Sequence, residues 1–289
     1  MLSSRYEAPE TIADAVALLA ADADAKVIAG GTDLLVQLRL GADAPSAFVD
    51  IKRIPELHQL EIDGDGLRCG AAVPAAELFE NEQVRNLWPG LAEATDLIGS
   101  SQIQGRATWS GNLCNASPAA DSVPALIAVG AQAVIASPGG ERTVPVEDIC
   151  TAPGKNILAS DEIVARFIVP APAPRSSDAY LRLIPRSEMD IAVVGASVSL
   201  TLDARGTVTA ARVALGAVAP TVLLVSEAAN ALIGSSLDDA ALDAAAAAAS
   251  AAANPIDDKR GTVAYRKQIA GVLTKRAARI AYDRAQERG

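Results

Sequence analysis

The sequence predicts an α+β protein in two parts, and three observations carry that reading. The first fifty residues alternate helix and strand around a Gly30-Gly31 turn. The run Pro170-Ala171-Pro172-Ala173-Pro174 then interrupts the chain with a stiff, extended stretch unable to continue a sheet. Beyond it, alternating strands come first and helices follow, the order of an α+β domain. With 289 residues, 50% of them hydrophobic and 21% charged, the chain has core material for two domains, divided at 1–174 and 175–289.

Each element has a local warrant. Residues 10–21 carry Ile12, Ala15, Val16 and Leu19 at helical spacing, with Thr11 as the cap. Residues 26–29 read as a short buried strand, 33–40 as a helix stopped by Gly41, and 47–51 as a second strand. Asp63-Gly64-Asp65-Gly66 joins 60–62 to 67–73 as a hairpin. Helical patterns cover 75–86, 91–97 and 122–129, and strands 131–136 and 163–169. After the prolines, Ala196, Val198, Leu200 and Leu202 face one way and Ser197, Ser199 and Thr201 the other. This strand turns at 203–206 into 207–218, an antiparallel pair with one solvated face. Helices at 226–233, 238–252 and 263–284 close the chain. In the last, Ile269, Val272, Leu273, Ala277 and Ile280 make the apolar stripe, and Arg266, Lys267, Lys275, Arg276 and Arg279 its solvated face.

Composition removes several function classes. A net charge of −10 argues against nucleic-acid binding, which needs a basic surface. Cys69, Cys114 and Cys150 form no CxxC pair, so neither a zinc site nor an iron–sulfur cluster is encoded, and a disulfide framework is not expected. That usage fits a reducing cytoplasm. Met1–Tyr6 lacks the apolar core of a signal peptide, and no run of about 18 apolar residues spans a membrane. His58, the single histidine, lies in a polar segment and reads as a surface residue, so no Ser/His/Asp or Cys/His arrangement can be assembled.

Two glycine-bearing turns remain: Ala29-Gly30-Gly31-Thr32-Asp33-Leu34 and Thr108-Trp109-Ser110-Gly111-Asn112. Each offers backbone N–H groups free of bulky side chains, the makings of an anion site. Read alone, the first is equally a strand-to-helix turn capped by Thr32 or Asp33. It has neither G-x-G-x-x-G spacing nor a following Gly-Lys-Ser/Thr. The second opens a small, polar run through Ser122 that reads as a ligand-filled segment or as a long surface loop, with Asp121 capping the next helix.

Together the two turns resemble the FAD-binding subunit of the molybdenum hydroxylases, the group containing xanthine dehydrogenase and aerobic carbon monoxide dehydrogenase. Its members carry a first loop AGGTDL, a second loop TIGGN and a Ser-Pro-x-x-Asp segment. This chain has Ala29 to Leu34, Thr108 to Asn112 and Ser117 to Asp121 in matching order and spacing. Agreement continues at 158–163, 186–192 and 265–273, nearly the whole chain. The resemblance implies a two-lobed FAD-binding domain of the vanillyl-alcohol-oxidase (PCMH) type, with lobes at about 1–55 and 56–174, then a small α+β domain with antiparallel strands and three helices. It also implies that Val27, Ile28, Ala29, Gly30, Gly31, Thr32, Asp33 and Leu34, with Thr108, Trp109, Ser110, Gly111 and Asn112, wrap the FAD diphosphate and neighbouring groups. Ile98, Asp121, Leu158 and Arg182 become further FAD neighbours; Arg182 stands where some relatives have lysine. One departure is Trp109-Ser110 in place of Ile-Gly: a position of positive φ there would be strained, and Trp109 either covers the flavin or anchors the loop in the core.

The function implied is an electron-transfer flavoprotein subunit of an oxidoreductase. A small partner with [2Fe-2S] clusters would feed FAD on this chain, a large partner with a molybdenum-pterin cofactor would hydroxylate the substrate, and the reduced flavin would serve an external acceptor. Oligomeric state follows by analogy, as a dimer of heterotrimers, a heterohexamer. A self-sufficient flavin-dependent reductase or oxidase, and a flavin-free assembly protein, are the competing classes.

Overall fold

A computed structural model describes residues 4–187 and 189–288; Met1, Leu2 and Ser3 of the N-terminal reading, and Glu188 of the 186–192 segment, lie outside the described residues, as does Gly289. The N-terminal lobe is a three-stranded parallel sheet in the order Arg5–Glu7, Ala47–Asp50, Lys26–Ile28. The helix Ile12–Ala21 returns the chain between parallel strands, capped by Thr11, whose hydroxyl accepts from Asp14 N at 3.1 Å. Ala15, Val16 and Leu19 are its buried face. Lys26–Ile28 is not the buried strand expected. It forms the sheet edge, with Lys26 exposed and Val27 and Ile28 half-buried, because one side opens on a cleft.

A five-stranded antiparallel sheet follows, in the order Leu60–Asp63, Gly66–Gly70, Ile163–Pro170, Gln132–Ser137, Gly140–Pro145. Short helices cover it. The single helix expected over 75–86 is two, Ala75–Glu80 and Glu82–Leu87. Asn81 turns extended between them and caps the second by accepting from Val84 N at 3.1 Å. The stretch read as a turn or surface loop contains a helix, Trp109–Cys114, because Thr108 Oγ1 accepts from Gly111 N at 3.0 Å and starts it.

On the far side of residues 171–175 lies a four-stranded antiparallel sheet: Ser176–Leu183, Val194–Leu202, Val208–Gly216, Leu223–Leu224. Its apolar face, including Ala196, Val198, Leu200 and Leu202, packs on the helices Ser226–Leu232, Asp239–Ala252 and Val263–Glu287. The other face is not solvated as alternation implied. Ser197 is fully buried and Ser199 and Thr201 half-buried, since Pro89–Asp96 and Ser122–Ala128 of the preceding domain lie across that side. The last helix differs too. Its buried positions include Arg266, Ala270, Gly271, Leu273, Thr274, Ala277 and Ala278, while Ile269, Val272 and Ile280 are half-buried. Arg266 leaves the expected solvated face to donate to Val193 O at 2.8 Å and to Asp258 at 2.7 Å.

Candidate functional site

A cleft of about 460 Å³ opens where the three-stranded sheet meets the helix Trp109–Cys114, a volume in the range of small-molecule sites. The first glycine turn forms one wall, at the exit of Lys26–Ile28 into the short helix Leu34–Arg39. Among the described residues, the N–H groups of Gly30, Gly31, Thr32 and Asp33 donate to no protein acceptor. Gly31 supplies a φ of +75° that a side chain would strain, and Gly30 lies against the backbone of Arg106. A Cβ on Gly30 would come within 2.5 Å of the Arg106 carbonyl carbon and closer still to its oxygen. Glycine is therefore what lets the first turn touch the start of the second.

Further bonds hold the two arms in place. Lys52 Nζ donates to Ala29 O and to Asp50 Oδ1, each at 2.7 Å, and so ties the first turn to the neighbouring strand. Gln37 Nε2 donates to Asn115 Oδ1 at 2.9 Å, closing one helix on the other across the cleft. On the second arm, Ser110 Oγ donates to Ala71 O at 2.6 Å and Ser122 Oγ to Asn112 Oδ1 at 2.7 Å. Ser110 sits in regular helix, so the strain considered for a positive-φ loop does not arise.

Most residues anticipated from the sequence meet here. Val27, Ile28, Ala29, Gly30, Gly31, Thr32, Asp33, Leu34, Ile98, Thr108, Ser110, Gly111, Asn112 and Leu158 all line the cleft. Trp109, Asp121 and Arg182 fall outside its wall. Trp109 is 1% exposed, donates from Nε1 to Thr95 Oγ1 at 2.9 Å and meets Phe167 edge-on at 5.9 Å, which makes it the core anchor of the loop. Asp33 occupies the cap position of its helix but makes no side-chain cap bond. Asp121 makes none either, its carboxylate turning instead to Tyr180 and Arg182. Sequence reasoning missed Lys52, Gln37, Asn115 and Ser122. The bonds by which they brace the two arms reach partners 10 to 78 residues away, and no local pattern announces them.

The chemistry available in the cleft is that of binding. His58 is exposed and is not part of the cleft wall, its Nε2 lying 2.9 Å from Lys52 O. Cys114 is the one cleft-lining thiol, and burial, with Cys150 nearby, pushes it up to about 12, so it carries no thiolate near neutrality. Among the described residues no cluster of His, Cys, Asp or Glu could hold a metal ion, and no helix is long and apolar enough to cross a membrane. What remains is a concave row of free N–H donors beside apolar walls at Ile28, Ile51, Ile98 and Leu158. An extended ligand with an anionic middle and flat apolar ends fits that donor set.

Residues 2–172 match the FAD-binding domain in molybdopterin dehydrogenase, and residues 179–281 the carbon monoxide dehydrogenase flavoprotein C-terminal domain. The chain belongs to the family of FAD-binding subunits of the molybdenum hydroxylases. It is 35% identical over 280 residues to the carbon monoxide dehydrogenase medium chain of Hydrogenophaga pseudoflava, covering 96% of this chain and 97% of that one. To the xanthine dehydrogenase FAD-binding subunit of Escherichia coli O157:H7 it is 33% identical over 273 residues, covering 94% and 93%. In three dimensions it matches carbon monoxide dehydrogenase from H. pseudoflava lacking the Mo-pyranopterin moiety, with a TM-score of 0.93, 36% identity and coverage of 97% and 98%. The two-domain α+β architecture expected from the sequence is thereby shown, and with it an FAD-dependent oxidoreductase subunit.

Proposed function

We propose that this chain passes electrons from the iron–sulfur clusters of a small partner subunit to an external acceptor, within a complex whose large subunit holds the molybdenum-pterin cofactor. The observation that carries the proposal is the pair of glycine arms, joined at Gly30 and Arg106, with free N–H groups facing a cleft whose described lining holds no histidine and whose one thiol stays protonated near neutrality. FAD, when bound, accepts and releases the electrons; the protein supplies binding, orientation and electrostatics. Gly30 to Asp33 and the N-terminal turn of Trp109–Cys114 would hold the diphosphate, with Ile98 and Leu158 as apolar walls. Lys52, Gln37 and Ser122 would keep the arms at their spacing, and the apolar walls would exclude water. Assembly as a dimer of heterotrimers in the cytoplasm belongs to the same reading. So does the division into lobes at about 1–55 and 56–174 and a C-terminal domain at 175–289, supported by the two family matches on either side of residues 173–178.

Expression together with its neighbouring reading frames tests the proposal. The expected result is a yellow complex, stoichiometric in FAD, containing a small cysteine-rich chain and a large one, whose flavin is bleached by the substrate of the large chain. A chain purified alone that turns over a small substrate with NADH, or one that takes up no FAD, refutes it.

A further inference from the structure

The last carbonyls of a helix have no partner within it, and those of Trp109–Cys114 point at a later hairpin. The strands of that hairpin, Cys150–Ala152 and Lys155–Asn156, pair antiparallel. Cys150 Sγ donates to Leu113 O at 3.5 Å and Asn156 Nδ2 to Cys114 O at 3.0 Å. Just beyond the helix, Ala116 O accepts from Gly154 N at 3.0 Å. Asn156 has a second partner, since its Oδ1 accepts from Leu158 N at 3.0 Å. A carbonyl can only accept and an N–H can only donate, so a primary amide serves both in one orientation alone. Cys114 and Leu158 both line the cleft, and Asn115, which follows Cys114, holds Gln37 of the first arm. One half-buried side chain thus ties the tail of the second arm to an apolar wall of the cleft.

We infer that Asn156 is a positioning residue for the flavin, its amide setting the spacing between the end of the second arm and the Leu158 wall. The inference rests on the flavin reading of that cleft. The hairpin does not need this side chain to form: its strand pairing is main chain, and Ile157 N closes it by donating to Ile149 O at 3.0 Å. What the amide adds is the link between two cleft-lining segments, and its donor and acceptor can be separated. Aspartate has the same shape and keeps an acceptor for Leu158 N, but it places an oxygen where Cys114 O requires a donor. Lys155, the exposed neighbour in the same strand, supplies the internal comparison.

The test is titration of the full-length apo-protein with FAD, followed by flavin fluorescence at a temperature well below the melting transition of every variant. Asn156→Ala removes both bonds and is expected to weaken FAD binding about tenfold. Asn156→Asp keeps the bond from Leu158 N and loses the one to Cys114 O, and should weaken binding about fivefold or more. Lys155→Ala should bind FAD within about twofold of wild type. A purely structural role would lower the melting temperature of the Asn156 variants while leaving the affinity of the folded protein unchanged. Wild-type affinity in Asn156→Ala or Asn156→Asp therefore overturns the inference, as does an equal loss in Lys155→Ala. A wild-type chain that takes up no FAD refutes the flavin reading instead.

Discussion

Replacing Gly30 by alanine puts a single carbon where two loops touch. That carbon would lie 2.5 Å from the Arg106 carbonyl carbon and closer still to its oxygen, against an ordinary van der Waals contact of 3.4 Å or more, so one backbone must retreat by well more than about 0.9 Å. The obstacle is main chain on both sides, and no rotamer change relieves it. Overpacking of this kind costs about 1–3 kcal/mol in folding stability. Retreat of the first turn also draws its free N–H groups away from a bound diphosphate. Hydrogen bonds to charged groups contribute about 1.5–3 kcal/mol each, so losing one or two corresponds to a Kd for FAD raised by about 10². Fluorescence titration of apo-protein reads the affinity, and thermal melting the stability. Gly41→Ala is the control. It places alanine at a φ of +97° in open space, so it carries backbone strain away from the cleft and should lower melting without changing affinity. A Gly30→Ala protein that melts and binds FAD like wild type would refute the contact between the arms as a determinant of the site.

Three further outcomes are expected. Trp109→Phe loses the indole bond to Thr95 and should cost about 1–3 kcal/mol by chemical denaturation, with the flavin absorption spectrum unchanged because the side chain faces Phe167 rather than the cleft. Lys52→Met frees Ala29 O and leaves Asp50 with the Tyr6 hydroxyl and the backbone N–H of residue 52, so FAD affinity should fall about fivefold in the same titration. Asp178 is buried and titrates at about 6, raised by desolvation against the pull of the Gly90 and Leu91 amides. Because its native pKa lies above the unfolded value, the folded chain binds the extra proton between about pH 4 and 6, and stability falls as pH rises through that window. Asp178→Asn should flatten that part of the stability profile, and an unchanged slope would remove Asp178 as its source.

Local chemistry was readable where the whole cause sits within four residues. Thr11 starts the first helix, Gly41 follows the second, and a two-residue link closes the 60–70 hairpin. The first glycine turn was ambiguous by itself and acquired meaning only beside the second, which is how the structure uses it. Misreadings came where the deciding partner is remote. Asp121 looks like a cap until Tyr180, 59 residues later, draws its carboxylate away. Ser197 looks solvated until another domain covers it, and Arg266 looks like a surface cation until three carbonyls and Asp258 surround it. The helix at Trp109 was masked by its small polar residues, although Thr108 three positions before Gly111 is a cap signal in plain view.

The C-terminal helices meet through almost nothing but small residues. A Cβ on Gly271 would come within 2.7 Å of Ala246 O, and Ala245, Ala249, Ala270, Ala277, Ala278 and Ala281 fill the surrounding core. Alanine and glycine have no rotamers to freeze, whereas each large aliphatic or methionine side chain loses about 0.5–2 kcal/mol of freedom when it packs. In a chain with 3% aromatic residues, this part of the core therefore forgoes buried area per residue and forgoes the ordering cost along with it. Its tolerance is correspondingly narrow: at this backbone contact there is little flexible side chain to absorb an added methylene, so Asp239–Ala252 is held at a fixed distance from Val263–Glu287.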